Sequence, residues 1–301
     1  MRLFLTGASG HIASAVIPEL LGAGHTVLGL ARSDASAVAV AALGADVHRG
    51  SLDDLDGLRA ATAASDGVIH LAFKHEEMQS GDLDGPLGAD LAAIDAIGEV
   101  LAGTGKPFVG TSGTIPLAFS GVPGVATEAD IVPAGPRIDA ENAVIALADR
   151  GVRSSVLRLP PLVHSELDHT GYTPALVSFA RRHGRSGYPG DGTNRWAAAH
   201  TLDVARLYRL AVEGAPAGTR LHAVGDEGIP FREIAETIGA RLGVPAVSIA
   251  PEELVDYFDF LAFFVALDNP ASSAATQALL DWHPTHAGLI DDLREEHYFR
   301  V

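Results

Sequence analysis

Short apolar runs recur along the first half of the chain, each followed by a longer stretch whose apolar positions fall three and four apart. Read as buried strands and amphipathic helices, they predict strands over 2–6, 25–30, 46–49, 67–72 and 107–111, and a sixth within 151–159. Between them lie predicted helices over 14–21, 34–43, 83–103 and 137–150. Another is opened by the N-cap candidates of Ser51-Leu-Asp-Asp54 and ends near residue 64. Such alternation requires a parallel sheet with helices on both faces, so the expected fold class is α/β, a doubly wound parallel sheet. Beyond Pro161 the alternation breaks down. Residues 163–173 read as loop, 174–183 as helix and 184–192 as a glycine-rich turn region. Helices over 203–212 and 230–242 and strands over 220–224 and 244–249 follow. Residues 252–267 read as one apolar, aromatic helix with Tyr257, Phe258, Phe260, Phe263 and Phe264. The chain thus divides into a core over 1–161 and a smaller lobe over 162–301, from which about 198–225 returns to the core.

Composition narrows the class. Hydrophobic residues make up 47% of the 301 positions and charged ones 20%, values that suit a large buried core. The apolar stretches stop well short of a membrane span, and the opening strand lacks a signal peptide's layout. Twenty-one basic against 38 acidic residues give a net charge of −17, which argues against a nucleic-acid surface. The absence of cysteine removes disulfides and thiolate chemistry and fits the cytoplasm. Thirteen histidines are scattered, His164 and His169 lack helical i, i+4 spacing and no His-Glu-x-x-His occurs, so no metal is expected.

The chemistry gathers at the first strand-to-helix turn, Thr6-Gly7-Ala-Ser9-Gly10-His11-Ile12-Ala13. A strand precedes it, a helix follows, and a second strand ends at Ala31-Arg32-Ser33. In this context glycines let backbone amides approach a dinucleotide pyrophosphate at the helix N-terminus. Gly7 permits the tight turn, Gly10 leaves room for phosphate, and Ala13 lets the helix pack closely on the strand. After the second strand, an acidic residue would accept hydrogen bonds from a ribose 2′-hydroxyl, whereas Arg32 and Ser33 suit a 2′-phosphate. The cofactor expected is NADP, with Asp34 keeping NAD as the alternative.

The spacing Thr-Gly-x-x-Gly-x-x-Ala resembles the short-chain dehydrogenase/reductase superfamily in its extended, NAD-dependent epimerase/dehydratase-like form, a Rossmann fold with a C-terminal substrate lobe. The resemblance implies further cofactor contacts. Asp53 would lie near the adenine, although Ser51 stands where the family opens this segment with an acid. Leu71, Ala72, Phe73 and Lys74 would pass beneath the cofactor ribose. Thr111 would face the nicotinamide end, and a Leu-Arg-x-Pro type ending adds Leu159, Pro160 and Pro161. Ser112 resembles the family's catalytic serine, and Thr114 a substrate-contacting hydroxyl. The family's proton donor is a tyrosine with a lysine four residues on, which lowers the phenol pKa. That pair is missing: the five tyrosines are at 172, 188, 208, 257 and 298, and the two lysines at 74 and 106. In this register Pro133 takes the tyrosine's place and Arg137 the lysine's. Arg137 could hold ribose or phosphate but cannot donate a proton at pH 7. Later segments, Gly190-Asp-Gly-Thr-Asn-Arg-Trp196, Ala199-His-Thr-Leu-Asp203 and Asp281-Trp-His-Pro284, also resemble the family.

The expected activity is hydride transfer between NADP(H) and a small carbonyl or related substrate. Ser112 and Thr114 would hold the substrate oxygen, with Tyr188, or else Tyr172, His164, His200 or water, supplying the proton. A non-catalytic dinucleotide sensor is the alternative from another class, and a nucleotide-sugar epimerase or dehydratase stands third. The resemblance further implies a homodimer through the helices over 83–103 and 137–150.

Overall fold

The computed structural model describes residues 1–79 and 84–300. Its centre is a parallel seven-stranded sheet in the order β10-β6-β5-β4-β1-β2-β3. The strands are β1 (Arg2–Thr6), β2 (Thr26–Ala31), β3 (Asp46–Arg49), β4 (Gly67–His70), β5 (Pro107–Gly113), β6 (Arg153–Leu159) and β10 (Thr219–His222). Chain order runs outward from β1 to β3, then jumps back to β4 beside β1. The carboxyl ends of β1 and β4 therefore flank the crevice where open α/β sheets bind ligands. Among the described residues, no helix is long and apolar enough to cross a membrane.

Helices cover both faces. On one, α1 (His11–Gly22) buries Ala13, Val16, Ile17 and Leu20 against the sheet, alongside α9 (Thr201–Gly214) with Val204, Leu207, Tyr208 and Ala211. α2 (Asp34–Ala42) closes the edge with Val40. On the other lie α3 (Leu55–Ala63), α5 (Asp84–Leu101) and α7 (Ile138–Ala146), contributing Leu58, Ile94, Ile97, Ala140 and Val144. Two short helices, α4 (His75–Gln79) and α6 (Ile115–Phe119), stand at the carboxyl edge after β4 and β5. The start of the 83–103 helix at Leu83 lies outside the described residues.

The second lobe departs most from expectation. The segment read as loop contains β7 (Leu162–His164), which joins two strands that the pattern did not announce, β9 (Arg195–His200) and β11 (Asp226–Pro230), in the order β11-β9-β7. The turn region over 184–192 contains β8 (Ser186–Pro189), paired in parallel with β12 (Ala246–Ile249). The helix expected over 252–267 is broken. Leu254–Phe258 is helical, Asp259 turns the chain at φ 52°, and a 3-10 turn follows over Asp259–Phe263. α8 (Tyr172–His183) and α10 (Phe231–Leu242) enclose a separate apolar cluster with Trp196, Tyr257, Phe258 and Leu261.

Where the sheet faces α7, one row of side chains is polar. Parallel pairing sets Ser112 beside Arg158 and Arg158 beside His222. Arg158, fully buried, grips Glu141 of α7 through Nε at 3.0 Å and Nη2 at 2.6 Å. Arg220 adds a third contact to Glu141 at 2.7 Å. Burial alone would raise the Glu141 pKa, but the bonds and charge of Arg158 and then Arg220 hold it below the usual range. Removing one member of a buried pair strands the other, at a cost of about 3–5 kcal/mol. Glu141→Gln should lower the urea-unfolding free energy by about that amount, whereas Arg232→Ala, which breaks an exposed, solvent-screened pair with Glu236, should lower it far less. Comparable losses from both would show that the buried pair contributes no more than a surface one.

Candidate dinucleotide and active site

The first turn is built as an anion cradle. Gly7 adopts φ 67°, and a Cβ there would lie 2.8 Å from the Ala72 backbone nitrogen, so only glycine lets the turn press against the end of β4. Gly10 is exposed, and a Cβ there would meet only the Gly7 carbonyl, at 3.2 Å. Gly10 is also the N-cap of α1, with no side chain closing the helix end. The first amides of a twelve-residue helix therefore face outward beside Ser9, His11 and Ile12, a fit for pyrophosphate.

Thr6, by contrast, is spent on the scaffold. Its Oγ1 accepts from the Leu71 and Ala72 amides, both at 3.2 Å, so its proton goes to His70 Nδ1 at 2.8 Å. His70 must then carry its proton on Nε2, which donates to Asp90 Oδ1 at 2.9 Å. Asp90 Oδ2 takes Arg137 Nη1 at 2.5 Å, and Arg137 Nη2 donates to the Thr111 carbonyl at 3.0 Å. Burial would raise the Asp90 pKa, yet the His70 bond and the Arg137 charge hold it below the carboxylate range. The guanidinium also lies 4.1 Å over the Phe73 ring. Arg137 sits at φ 65°, a left-handed conformation unusual outside glycine, held there by these contacts. Phe73, Thr111 and Arg137 are thus brought together at the carboxyl ends of β4 and β5.

The hydroxyls expected to hold substrate are differently disposed. β5 runs on to Gly113, so Ser112 lies inside the strand rather than after it, 4% exposed and facing α7. Its Oγ has no partner of full hydrogen-bond geometry and lies beside Glu141, which it helps keep ionised. Thr114, 1% exposed, donates to Asn269 Oδ1 at 2.7 Å. Thr111 donates to the His70 carbonyl at 2.7 Å and accepts from Tyr208 at 2.8 Å. Tyr188, expected in a turn region, is a β8 residue whose ring lies under Arg232. Leu159 accepts the Thr114 amide at 2.9 Å, which leaves Pro160 and Pro161 leading from the sheet edge into β7. Asp53 and Lys74 form an ion pair at 3.0 Å.

Two groups escaped the sequence reading. Arg49 ends β3 in register with Ala31, so parallel pairing carries it to the loop of Arg32 and Ser33. Its Nη1 donates to the Ser33 carbonyl at 2.6 Å, while the Ser33 hydroxyl caps α2 by accepting from the Ser36 amide. The register of two adjacent strands was the signal available for it. Asp168, distant in sequence, meets His11. Thr201 Oγ1 donates to the His164 carbonyl at 3.1 Å and accepts from Ser165 at 2.9 Å, so His11 Nε2 must donate to it at 2.8 Å. His11 Nδ1 then faces Asp168 Oδ1 at 3.5 Å. Burial, with His169 and His164 adding to it, pulls His11 down to about 4, and burial pushes Asp168 up to about 6. Among the described residues no set of His, Asp and Glu side chains is grouped to hold a metal.

The Asp168 shift has a definite sign in stability. With a folded pKa raised from 3.8 to about 6, its contribution is complete below pH 4 and lost as pH rises through 6, by up to about 3 kcal/mol. His11 acts oppositely, losing its contribution as pH falls from 6.5 to 4. Asp168→Asn keeps the acceptor for the Gly171 amide but removes the ionisation. Its melting temperature relative to wild type should climb between pH 4 and 6 and then level off. A difference independent of pH would mean that Asp168 does not titrate in this window.

Comparison with known proteins agrees with this architecture. Residues 3–84 match the NAD dependent epimerase/dehydratase family. An uncharacterized protein of Schizosaccharomyces pombe is 44% identical over 299 residues, spanning 99% of this chain and 100% of that one. A 2-alkyl-3-oxoalkanoate reductase of Stenotrophomonas maltophilia is 30% identical over 263 residues, 83% of this chain and 78% of its own. Among solved structures, a dTDP-glucose 4,6-dehydratase of Streptomyces venezuelae with NAD bound superposes with a TM-score of 0.78 at 19% identity, covering 98% of this chain and 95% of that one. With its glycine-rich turn, seven-stranded parallel sheet and these relatives, the chain belongs to the NAD-dependent epimerase/dehydratase family, the extended branch of the short-chain dehydrogenases/reductases.

Proposed function

We propose that the protein is an NADP(H)-dependent oxidoreductase acting on a small carbonyl compound or related electrophile. The observation that carries the cofactor choice is the place of Arg49, set opposite Ala31 by strand register and bonded to the Ser33 carbonyl, so that it and Arg32 belong to the same loop before α2. Arg49 Nη2 lies 2.9 Å from Asp34, whose side chain is fully exposed. A 2′-phosphate there would displace a weak surface partner of Arg49 and take charge-assisted bonds from two guanidiniums. A 2′-hydroxyl would find Asp34 already engaged with Arg49. The reductase name of the Stenotrophomonas relative supports the carbonyl half of the reading.

When bound, the dinucleotide would supply hydride to the carbonyl carbon. This chain's part is to hold it: the amides of His11 and Ile12 at the pyrophosphate, since that of Gly10 goes to the Gly7 carbonyl at 3.0 Å, Arg137 and Phe73 at the nicotinamide ribose, and the two arginines at the adenosine ribose. Among the described residues, the N–H donors of Arg137 go to Asp90 and the Thr111 carbonyl, and the guanidinium fork has further donors suited to ribose oxygens. A sensor without turnover is favoured by one fact: Thr111, Thr114 and Tyr208 already spend their hydroxyls on one another or on the scaffold. The epimerase or dehydratase reading has the family description, a UDP-glucose 4-epimerase of Streptomyces lividans at 26% identity and the names of structural neighbours behind it, but the chain lacks the Tyr/Lys pair on which those reactions lean.

Titration with NADP(H) and NAD(H), then a carbonyl panel read as NADPH consumption, separates these readings. Arg32→Ala and Arg49→Ala should each weaken NADP binding by about 1.5–3 kcal/mol, roughly ten- to a hundredfold, and spare NAD. Gly10→Val should fold normally and weaken both cofactors alike. Equal losses for both cofactors in the arginine variants would remove the phosphate role. A homodimer through α5 and α7 is also proposed: Leu91, Ile94, Ala143, Ala146 and Leu147 line a groove of about 340 Å³ between these helices. Light scattering at micromolar concentration should give twice the chain mass, and a monomer would refute the dimer.

A further inference from the structure

Resting on the oxidoreductase reading, we propose that His75 is the residue that exchanges a proton with the substrate oxygen, in place of the missing tyrosine. The need is set by chemistry. Reducing a carbonyl adds hydride to carbon, here from a reduced nicotinamide, and a proton to oxygen. The donor loses one N–H or O–H proton, and the C=O becomes CH–OH.

The tyrosines are engaged elsewhere. Tyr172 packs on Trp196 and Phe260 with its phenol pushed up by burial, and Tyr188 lies in β8 under Arg232. Tyr208 is fully buried on Thr111, Tyr257 donates to the Arg185 carbonyl, and Tyr298 accepts from the Ser165 amide. Histidines near the crevice are also committed. His70 uses both ring nitrogens, and His164 is fully buried on Asp292. His200 caps α9 through the Leu202 amide and stacks on His286.

His75 differs on each count. It opens α4 directly after the β4 segment that passes under the ribose, and it is exposed to solvent. Its ring meets Phe73 edge to face with centroids 5.0 Å apart. The same Phe73 carries the Arg137 guanidinium 4.1 Å from its centroid, and Arg137 reaches the carbonyl of Thr111 at the end of β5. The imidazole is thus accessible and anchored at the nicotinamide end of the crevice. Among the described residues, the charged groups around it are Arg137 at the N-cap of α7 and Asp90 on α5, with Lys74 beside it paired to Asp53 and Glu77. Partial burial first, and then the Arg137 charge, hold its pKa below 6.5, with Asp90 pulling the other way. Arg137 therefore takes over from the family lysine the task of tuning the proton donor by charge, although it donates no proton itself. As imidazolium, His75 gives its proton to the alkoxide oxygen. As neutral imidazole, which prevails at pH 7, it accepts one from an alcohol.

The pH dependence follows from that sign. Carbonyl reduction should fall as pH rises through the His75 pKa, and alcohol oxidation should fall as pH drops through it. His75→Gln, with unchanged melting temperature and NADPH affinity, should lose roughly a hundredfold or more in kcat together with that pH limb. Added imidazole should restore part of the rate in His75→Ala. Independently of turnover, NMR titration of labelled histidine should find the His75 pKa below 6.5 and raised toward it in Arg137→Gln. Retention of kcat and of the limb in His75→Gln, or a titration unmoved by Arg137→Gln, would overturn the assignment while leaving the oxidoreductase reading intact. NADPH binding without consumption across the panel would overturn both.

Discussion

A single buried carboxylate organises the carboxyl edge of the sheet. Asp90 is 2% exposed in the middle of an otherwise apolar helical face, a position that a charge can occupy only when it is paired and hydrogen-bonded. His70 and Arg137 meet that requirement, and each is fixed in turn, His70 by Thr6 and Arg137 by the Thr111 carbonyl. The chain of bonds joins β1, β4, α5, the start of α7 and β5. Because the proton of each member is dictated by its neighbour, the network has one arrangement and sets the walls of the crevice rigidly.

The same network explains how a family fold persists without the family's Tyr/Lys pair. A lysine could approach a ribose and tune a phenol from one place. An arginine there is a planar fork that needs acceptors in its plane, and it finds them in Asp90 and the Thr111 carbonyl. Its cost is the left-handed backbone at residue 137. Its charge still acts on whatever stands near Phe73. The threonine hydroxyls at the end of β5 are bonded within the scaffold, Thr111 to Tyr208 and Thr114 to Asn269.

At the opposite end of the crevice, the first turn joins the two lobes. His11 bonds Thr201 and faces Asp168, so the helix that would bear the pyrophosphate also touches the segment following β7. Trp282, fully buried, donates to the Asp203 carbonyl at 3.0 Å, and the Asp203 carboxylate takes the amides of Thr285 and His286. The C-terminal segment is thereby clamped to the start of α9, behind the cofactor crevice.

What the sequence determined by itself was the layered core. Period-two and period-3.6 hydrophobic patterns are local, and so is the glycine turn at 7 and 10, which needs only a strand before it and a helix after it. The second lobe was less legible. β7, β8, β9 and β11 are held by pairing with partners elsewhere in the chain, which no local pattern announces. Asp259 broke an apolar helix for reasons outside its own window. The register of parallel strands decided which side Ser112 faces and delivered Arg49 to Arg32, since moving one position along a strand turns a side chain to the other face. Only the tertiary structure could bring Asp90 to Arg137, Asp168 to His11 and Arg137 to the neighbouring Phe73 and His75. Those meetings depend on distances across the fold between residues that share no spacing in the chain.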